Sequence, residues 1–235
     1  MWDFEQGEIL AFDKPLRWTS FDLVAKVRYN LCRKLGKKKL KVGHSGTLDP
    51  LATGVVIVCT GKKTKLIESL QYDVKEYVAT MQLGATTPSY DMEKEVDATY
   101  PTAHITRALI DETIPTFVGE QWQVPPMFSA VQINGKRAYE FARKGEEVAL
   151  KPKLLKIDEI EVLAFAPETM QLTIRVVCSK GTYIRALARD IGERLHTGAY
   201  LTALRRTRVG NTRVEECLTI EQFLEQLNNY VYVQV

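Results

Sequence analysis

The chain has 235 residues, 45% of them hydrophobic, which is enough apolar material for one large core or two small ones. No apolar run reaches the ~20 residues of a membrane helix, and Met1-Trp2-Asp3-Phe4-Glu5 lacks the basic and apolar segments of a secretory signal. The four cysteines, Cys32, Cys59, Cys178 and Cys217, form no CxxC pair and have no nearby His, which argues against zinc and against a disulfide framework and suits a reducing cytosol.

The net charge of +3 says less than its distribution. Lys26, Arg28, Arg33, Lys34, Lys37, Lys38, Lys39 and Lys41 follow one another with no acid among them. Lys62, Lys63 and Lys65 form a second cluster, and Arg205, Arg206, Arg208 and Arg213 a third. Any one cluster reads as a solvated face; three of them beside Gly-rich loops point to a polyanion such as nucleic acid.

In chain order, residues 8–13 read as a short strand. Thr19-Ser20-Phe21-Asp22 starts a helix with a capping-box acid. Phe21, Val24, Val27, Leu31 and Leu35 form its apolar stripe, and Gly36 ends it. A loop from Gly43 to Gly54 leads into a buried strand, Val55 to Cys59, and a short helix over about 62–70. Residues 74–83 alternate as a half-buried strand, with Tyr77, Ala79, Met81 and Leu83 on one face. Residues 84–101 read as a polar surface loop and 104–113 as a helix. After Pro125-Pro126, a strand runs from Phe128 to Ile133, Asn134-Gly135 forms a tight turn, and a helix covers 137–144. Strands follow at about 154–165 and 170–178. Thr182 caps a helix carrying Ile184, Leu187, Ala188, Ile191 and Leu195. A strand from Ala199 to Arg208 and a helix over 219–228 complete the chain. The irregular mixture of strands and helices predicts an α+β fold with a mostly antiparallel sheet.

Asp49 is a lone carboxylate in a loop with several glycines. Asp-Pro either starts a turn or presents a nucleophile, and the glycines would let another molecule's backbone approach. His44, in the same loop, reads as general base, RNA contact or packing residue. It has no metal-ligand partner at suitable spacing. Tyr77 is either core or a stacking platform for an unstacked base. Arg185 falls in the first turn of its helix, where a cation opposes the helix dipole. It is either a surface arginine or one that pairs with a carboxylate or phosphate, and Arg189 lies one turn on.

Together these segments resemble the TruB family of tRNA pseudouridine synthases. The segment Gly43-His44-Ser45-Gly46-Thr47-Leu48-Asp49-Pro50-Leu51-Ala52-Thr53-Gly54 is similar to that family's catalytic-loop motif. Asp13-Lys14-Pro15 with Thr19-Ser20, Lys75-Glu76-Tyr77, and Pro125-Pro126-Met127-Phe128-Ser129-Ala130 with Gly135-Lys136-Arg137-Ala138-Tyr139 match further motifs. Ser179-Lys180-Gly181-Thr182-Tyr183-Ile184-Arg185 and Leu204-Arg205-Arg206-Thr207 complete the series in family order. The resemblance implies the pseudouridine-synthase α+β fold, a mixed sheet with flanking helices and a catalytic cleft. It implies Asp49 as catalytic carboxylate, Tyr77 stacking on the target base, and Arg185 pairing with Asp49 to keep it ionised. Tyr183 and Leu204 line the uracil pocket, His44 fills the space a flipped nucleotide vacates, and Lys14 supports the loop. The implied substrate is the uridine at position 55 in the T loop of tRNA.

An isomerisation needs no redox change or energy input, so no cofactor and no metal are expected. The expected partner is the tRNA T-arm stem-loop, bound by a cytoplasmic monomer with no membrane attachment and no obligatory protein partner. Arg17 stands where the family usually has Gly, Ser45 where Thr is common, and Lys63 where Ala is common. Too few residues follow the Leu204 motif for the C-terminal PUA RNA-binding domain of many relatives. The expected plan is therefore one catalytic domain over 1–235, with an RNA-binding insertion at about 102–150 and no PUA domain. A non-catalytic RNA-binding module would not need Asp49, Tyr77 and Arg185 together. A guide-RNA particle subunit would need the PUA domain.

Overall fold

The computed structural model describes residues 2–4, 6–129, 131–133, 135–146 and 148–230. Met1 and Glu5 of the opening segment, Ala130 of the Pro125-Pro126 motif and Asn134 of the expected turn lie outside the described residues.

Strand β1 (Ile9–Lys14) leads to helix α1 (Ser20–Lys34), whose Thr19 N-cap and Asp22 form the expected capping box. One expectation for its stripe fails: Phe21 is 68% exposed, and Leu23 takes its place beside Val24, Val27 and Leu31. The short strand β2 (Val42–His44) and the long β3 (Ala52–Thr60) trim the expected loop from both ends. The helix expected over 62–70 is a 3-10 turn, Gly61–Leu66, followed by the short α2 (Ile67–Leu70). Strand β4 (Lys75–Leu83) alternates as predicted, with Tyr77, Ala79, Met81 and Leu83 in its buried row.

The segment expected as a surface loop at 84–101 contains two paired strands, β5 (Ala85–Thr86) and β6 (Ala98–Thr99). Its Thr87, Ser89 and Asp91 are buried. Helix α3 (Arg107–Thr113) precedes an unpredicted strand, β7 (Gly119–Gln123). The strand expected from Phe128 shrinks to β8 (Gln132–Ile133), because the backbone before it is used elsewhere: Ser129 N donates to Met127 O at 2.9 Å and Phe128 O accepts from Arg185 at 2.8 Å. Strand β8 pairs with β9 (Lys136–Arg137), and α4 (Ala138–Ala142) follows. Next come β10 (Lys153–Ala166), β11 (Gln171–Cys178), α5 (Ile184–Arg194), β12 (Ala199–Val209), β13 (Thr212–Arg213) and α6 (Ile220–Asn229).

The chain forms two compact units, and the boundaries fall inside β4 and at the middle of β12. The first comprises Met1–Glu76 and Arg205–Val235. In it β3 pairs antiparallel with β1, from Ile9↔Cys59 to Lys14↔Gly54, and with β2, where His44 faces Val58. The continuous apolar run Val55 to Cys59 is buried on both faces. Trp2, Phe4, Phe12, Phe223 and Tyr230 form an aromatic cluster that joins the start of the chain to α6.

The second unit is Tyr77–Leu204. Strands β4, β11, β10 and β7 lie side by side in that order. Strand β10 is antiparallel to both β11 and β7. Helix α5 buries Ile184, Leu187, Ala188 and Ile191, the stripe predicted for it.

Candidate active site

In the first unit, backbone contacts immobilise the loop that carries Asp49. The buried Ser20 hydroxyl, at the start of α1, accepts from Leu48 N at 2.8 Å and donates to Leu48 O at 3.2 Å. Arg17 N donates to Pro50 O at 2.7 Å, and Ala52 N to Asp49 O at 3.0 Å. Arg17 has φ +67°, a left-handed conformation that glycine would adopt without strain. From the other side the buried Arg206 donates through Nε to Val55 O at 2.7 Å, and through its other nitrogens to Gly46 O at 3.2 Å and Thr47 O at 3.4 Å. These bonds satisfy loop carbonyls that would otherwise be stranded. They leave Asp49 itself half-buried at the loop's tip.

The glycines of this loop were expected to admit another molecule's backbone, but Gly43 and Gly54 instead admit this chain's own atoms. At Gly43 an added Cβ would lie 2.8 Å from Ile67 Cδ1. At Gly54, with φ +109°, it would lie 2.1 Å from Arg206 O. Gly54→Ala is therefore expected to cost at least ~2 kcal/mol in a denaturant melt. A change below ~0.5 kcal/mol would contradict so close an approach.

Lys14 is fully buried, and its ammonium donates to Pro15 O at 2.9 Å and to Trp18 O, closing the turn that precedes α1. Burial pushes its pKa down from 10.5 to about 8; the Asp49 carboxylate opposes that fall and Arg206 adds to it. Because the native pKa lies below the unfolded one, the unfolded chain holds more protons between about 8 and 10.5. The contribution of Lys14 to stability therefore rises with pH across that window. Melts of the wild type and of Lys14→Met at successive pH values should show the difference moving in the wild type's favour there. A difference independent of pH would count against the assignment.

His44 sits on β2 with its Nδ1 buried and without a hydrogen-bond partner among the described residues. Burial first, then Arg206, lowers its pKa, while the Gly46 backbone opposes them, so the imidazole is neutral at pH 7.

Three arginines of the cluster after Leu204 are committed internally rather than free for a polyanion. Arg205 binds Asp13 at 2.7 Å, Arg208 lies 3.7 Å from Glu76, and Arg206 is spent on the loop carbonyls; Arg213 caps the turn at Val214–Glu216 through its backbone alone and is exposed. By contrast, Lys26, Arg33, Lys38, Lys39 and Lys41 are exposed.

In the second unit, Arg185 is a buried arginine, not a surface one. It donates to Ser89 O at 3.1 Å and Phe128 O at 2.8 Å, and its Nε lies 3.7 Å from the Asp91 carboxylate. The expected Thr182 cap is displaced. The left-handed Gly181, φ +85°, puts Thr182 in the turn, where its hydroxyl donates to Ser179 O at 3.0 Å. Tyr183 becomes the N-cap. The buried Gln123 at the end of β7 fixes its main chain, accepting from Tyr183 N at 2.9 Å and donating to Tyr183 O at 3.2 Å. Tyr77, in the buried row of β4, and the half-buried Leu204 belong to this unit too.

Sequence reasoning missed Ser20, Ser89, Asp91 and Gln123 as supports. A small hydroxyl, an acid in a polar stretch and an unpredicted strand carry no local signature of burial. Arg206 did leave one, since adjacent arginines in a strand must face opposite ways. Among the described residues, no group of three or more His, Cys, Asp or Glu side chains could hold a metal ion. None of the described helices is long and apolar enough to cross a membrane.

Residues 33–184 match the TruB family pseudouridylate synthase N-terminal domain, and residues 185–232 match the tRNA pseudouridylate synthase B C-terminal domain. The chain is 65% identical over 226 residues to tRNA pseudouridine synthase B of Phocaeicola vulgatus, covering 96% of this chain and 95% of that protein. It is 64% identical to the Bacteroides fragilis protein of the same name, covering 96% of each. Among solved structures it is similar to a chain of a Cbf5-Nop10-Gar1 complex, at 30% identity and TM-score 0.70, covering 94% of this chain and 54% of that one. It is also similar to a chain of an H/ACA RNP bound to a substrate RNA containing 2'-deoxyuridine, at 28% identity and TM-score 0.67, covering 94% and 53%. The chain thus spans about half the length of these solved chains and nearly all of its curated relatives. Matches to the two family domains over nearly the whole chain, together with relatives more than 60% identical, place it: this chain belongs to the TruB family of pseudouridylate synthases.

Proposed function

We propose that this enzyme isomerises the uridine at position 55, in the T loop of tRNA, to pseudouridine, with Asp49 as its catalytic carboxylate. The observation that carries the reading is the immobilised loop. Ser20, Arg17 and Arg206 hold the backbone on both sides of Asp49, so the carboxylate is placed before substrate arrives.

The reaction breaks the bond between uracil N1 and the sugar C1′, turns the base, and joins C5 to C1′. The proton leaves C5 and N1 gains one, so the change is an isomerisation with no net oxidation. A carboxylate can serve it by adding to the base, by attacking C1′, or by assisting a glycal intermediate. The target must leave the base stack to be reached. Tyr77 stacks on the flipped base, Tyr183 and Leu204 line the uracil pocket, and Arg185 supplies the cation that keeps the carboxylate ionised. His44 takes the vacated space, where a neutral ring with an open nitrogen suits packing against bases. Lys14 supports the loop turn. The enzyme works as a cytoplasmic monomer, and the exposed cations at 26–41 and the segment at about 102–150 hold the RNA backbone.

The test is single-turnover and steady-state kinetics on whole tRNA and on an isolated T-arm hairpin. The hairpin should react with a specificity constant within about tenfold of tRNA, a gap of ~1.4 kcal/mol. Repeating the measurement across salt concentrations counts the phosphate contacts each RNA makes. An inert hairpin beside a reactive tRNA would move recognition beyond the T arm, and failure on both RNAs would sink the reading.

A further inference from the structure

Arg185 and Arg189 sit one helical turn apart on α5, so both leave the helix from one face. Between them they hold the same two segments. Arg185 binds the carbonyls of Ser89 and Phe128. Arg189 lies over the Tyr90 ring, with its guanidinium carbon 5.1 Å from the ring centroid, and donates to Val124 O at 3.1 Å. Segments 87–91 and 124–128 are therefore each tied to α5 twice.

Tyr90 is the unusual member. Its φ is +60°, a left-handed conformation that a bulky side chain rarely adopts. That turn lets Ser89 and Asp91, which flank it, both meet Arg185: Ser89 through its carbonyl, Asp91 through its carboxylate. Neighbours hold the conformation. Tyr90 N donates to Thr87 O at 3.1 Å, Tyr90 O accepts from Leu201 N at 2.9 Å, and the ring carries Arg189. Arg189 is itself oriented by Asp190, at 2.6 Å and 2.8 Å. A cation over an aromatic face in a partly dry setting is worth more than a surface contact.

We infer that Tyr90 and Arg189 are positioning residues for the reaction: their stack holds the left-handed turn that aims Ser89 and Asp91 at Arg185. This rests on the role proposed above for Arg185. Both residues act through Arg185. Their removal should loosen the guanidinium of Arg185 and slow the chemical step without weakening the grip on RNA.

The experiment measures single-turnover rate, RNA dissociation constant and melting temperature on a uridine-containing T-arm hairpin. Tyr90→Leu and Arg189→Met should each lower the rate about tenfold, as expected when a reacting group is slightly misplaced. RNA affinity should be unchanged. Tyr90→Phe keeps the ring but loses the hydroxyl that also bonds Arg189, and should keep more of the rate than Tyr90→Leu. Arg189→Lys, which keeps the charge but not the planar fork, should recover part of it. The double variant Tyr90→Leu/Arg189→Met should be no slower than either single one, because the two act as one brace. Wild-type rates in both Tyr90→Leu and Arg189→Met would overturn the inference. So would a rate loss that only tracks a fall in melting temperature. Arg185→Met, run in parallel, separates the two levels. If it is inactive while the brace variants are fast, only the brace fails. If it is itself fast, the reading of Arg185 falls and the brace with it.

Discussion

Asp49→Asn is expected to abolish pseudouridine formation while leaving a folded protein that still binds RNA. The contacts holding the loop run through Leu48, Pro50, Gly46 and Thr47 backbone atoms, and Asp49 contributes its own carbonyl to Ala52 N at 3.0 Å. An isosteric amide disturbs none of them. What it removes is the negative charge. Turnover should fall by more than about 10³-fold, the scale on which loss of a covalent or general-base group is felt. RNA affinity and melting temperature should stay near wild type. The substitution also deletes the carboxylate that holds up the Lys14 pKa, so that pKa should fall further below about 8. Near-normal turnover would remove Asp49 from the mechanism. Lost turnover together with lost folding would instead make it structural.

Arg185→Met should be costly in two separable ways. Arg185 and Asp91 are both buried, and methionine leaves the Asp91 carboxylate in a dry place without its cation. Breaking one side of a buried pair costs about 3–5 kcal/mol. For a chain of this size that corresponds to a melting temperature roughly 10 °C lower. Asp91→Asn added to Arg185→Met removes the stranded charge but keeps an oxygen for Glu93 N, which now donates to Asp91 Oδ1 at 2.9 Å. The double variant should regain at least half of the lost stability. It should not regain activity, because the cation proposed to keep Asp49 ionised is still missing. Equal stability of the single and double variants would show that Asp91 is not the partner that matters. Recovered activity would make the role of Arg185 purely structural.

Much of this was legible in the chain itself. The alternation of Tyr77, Ala79, Met81 and Leu83 predicted β4, because a strand side chain's face depends only on its parity. The capping box at Thr19 and Asp22 predicted where α1 begins, because its bonds join residues three apart. The stripe Ile184, Leu187, Ala188 and Ile191 predicted the buried face of α5. Signals of this kind are local, and the chain writes them down. The order of the motifs led to the family, to which profile and relatives also assign the chain.

Other features were decided only in three dimensions. The stretch at 84–101 looks like solvated loop, yet Ser89 and Asp91 are buried because a charge far along the chain, Arg185, needs them. Phe21 looks like core and faces solvent, because the helix rotates to bury Leu23. Gly54 looks like room for another molecule's backbone, and the Arg206 backbone occupies that room. Arg205, Arg206 and Arg208 look like an RNA grip and spend themselves on Asp13, loop carbonyls and Glu76. By itself, then, the sequence determined the family and where the periodic elements run, since helix and strand repeats and motif spacings are properties of neighbouring residues. The tertiary structure decided which charges are consumed in holding the protein together, since burial and ion pairing depend on residues that only folding brings within a few ångströms.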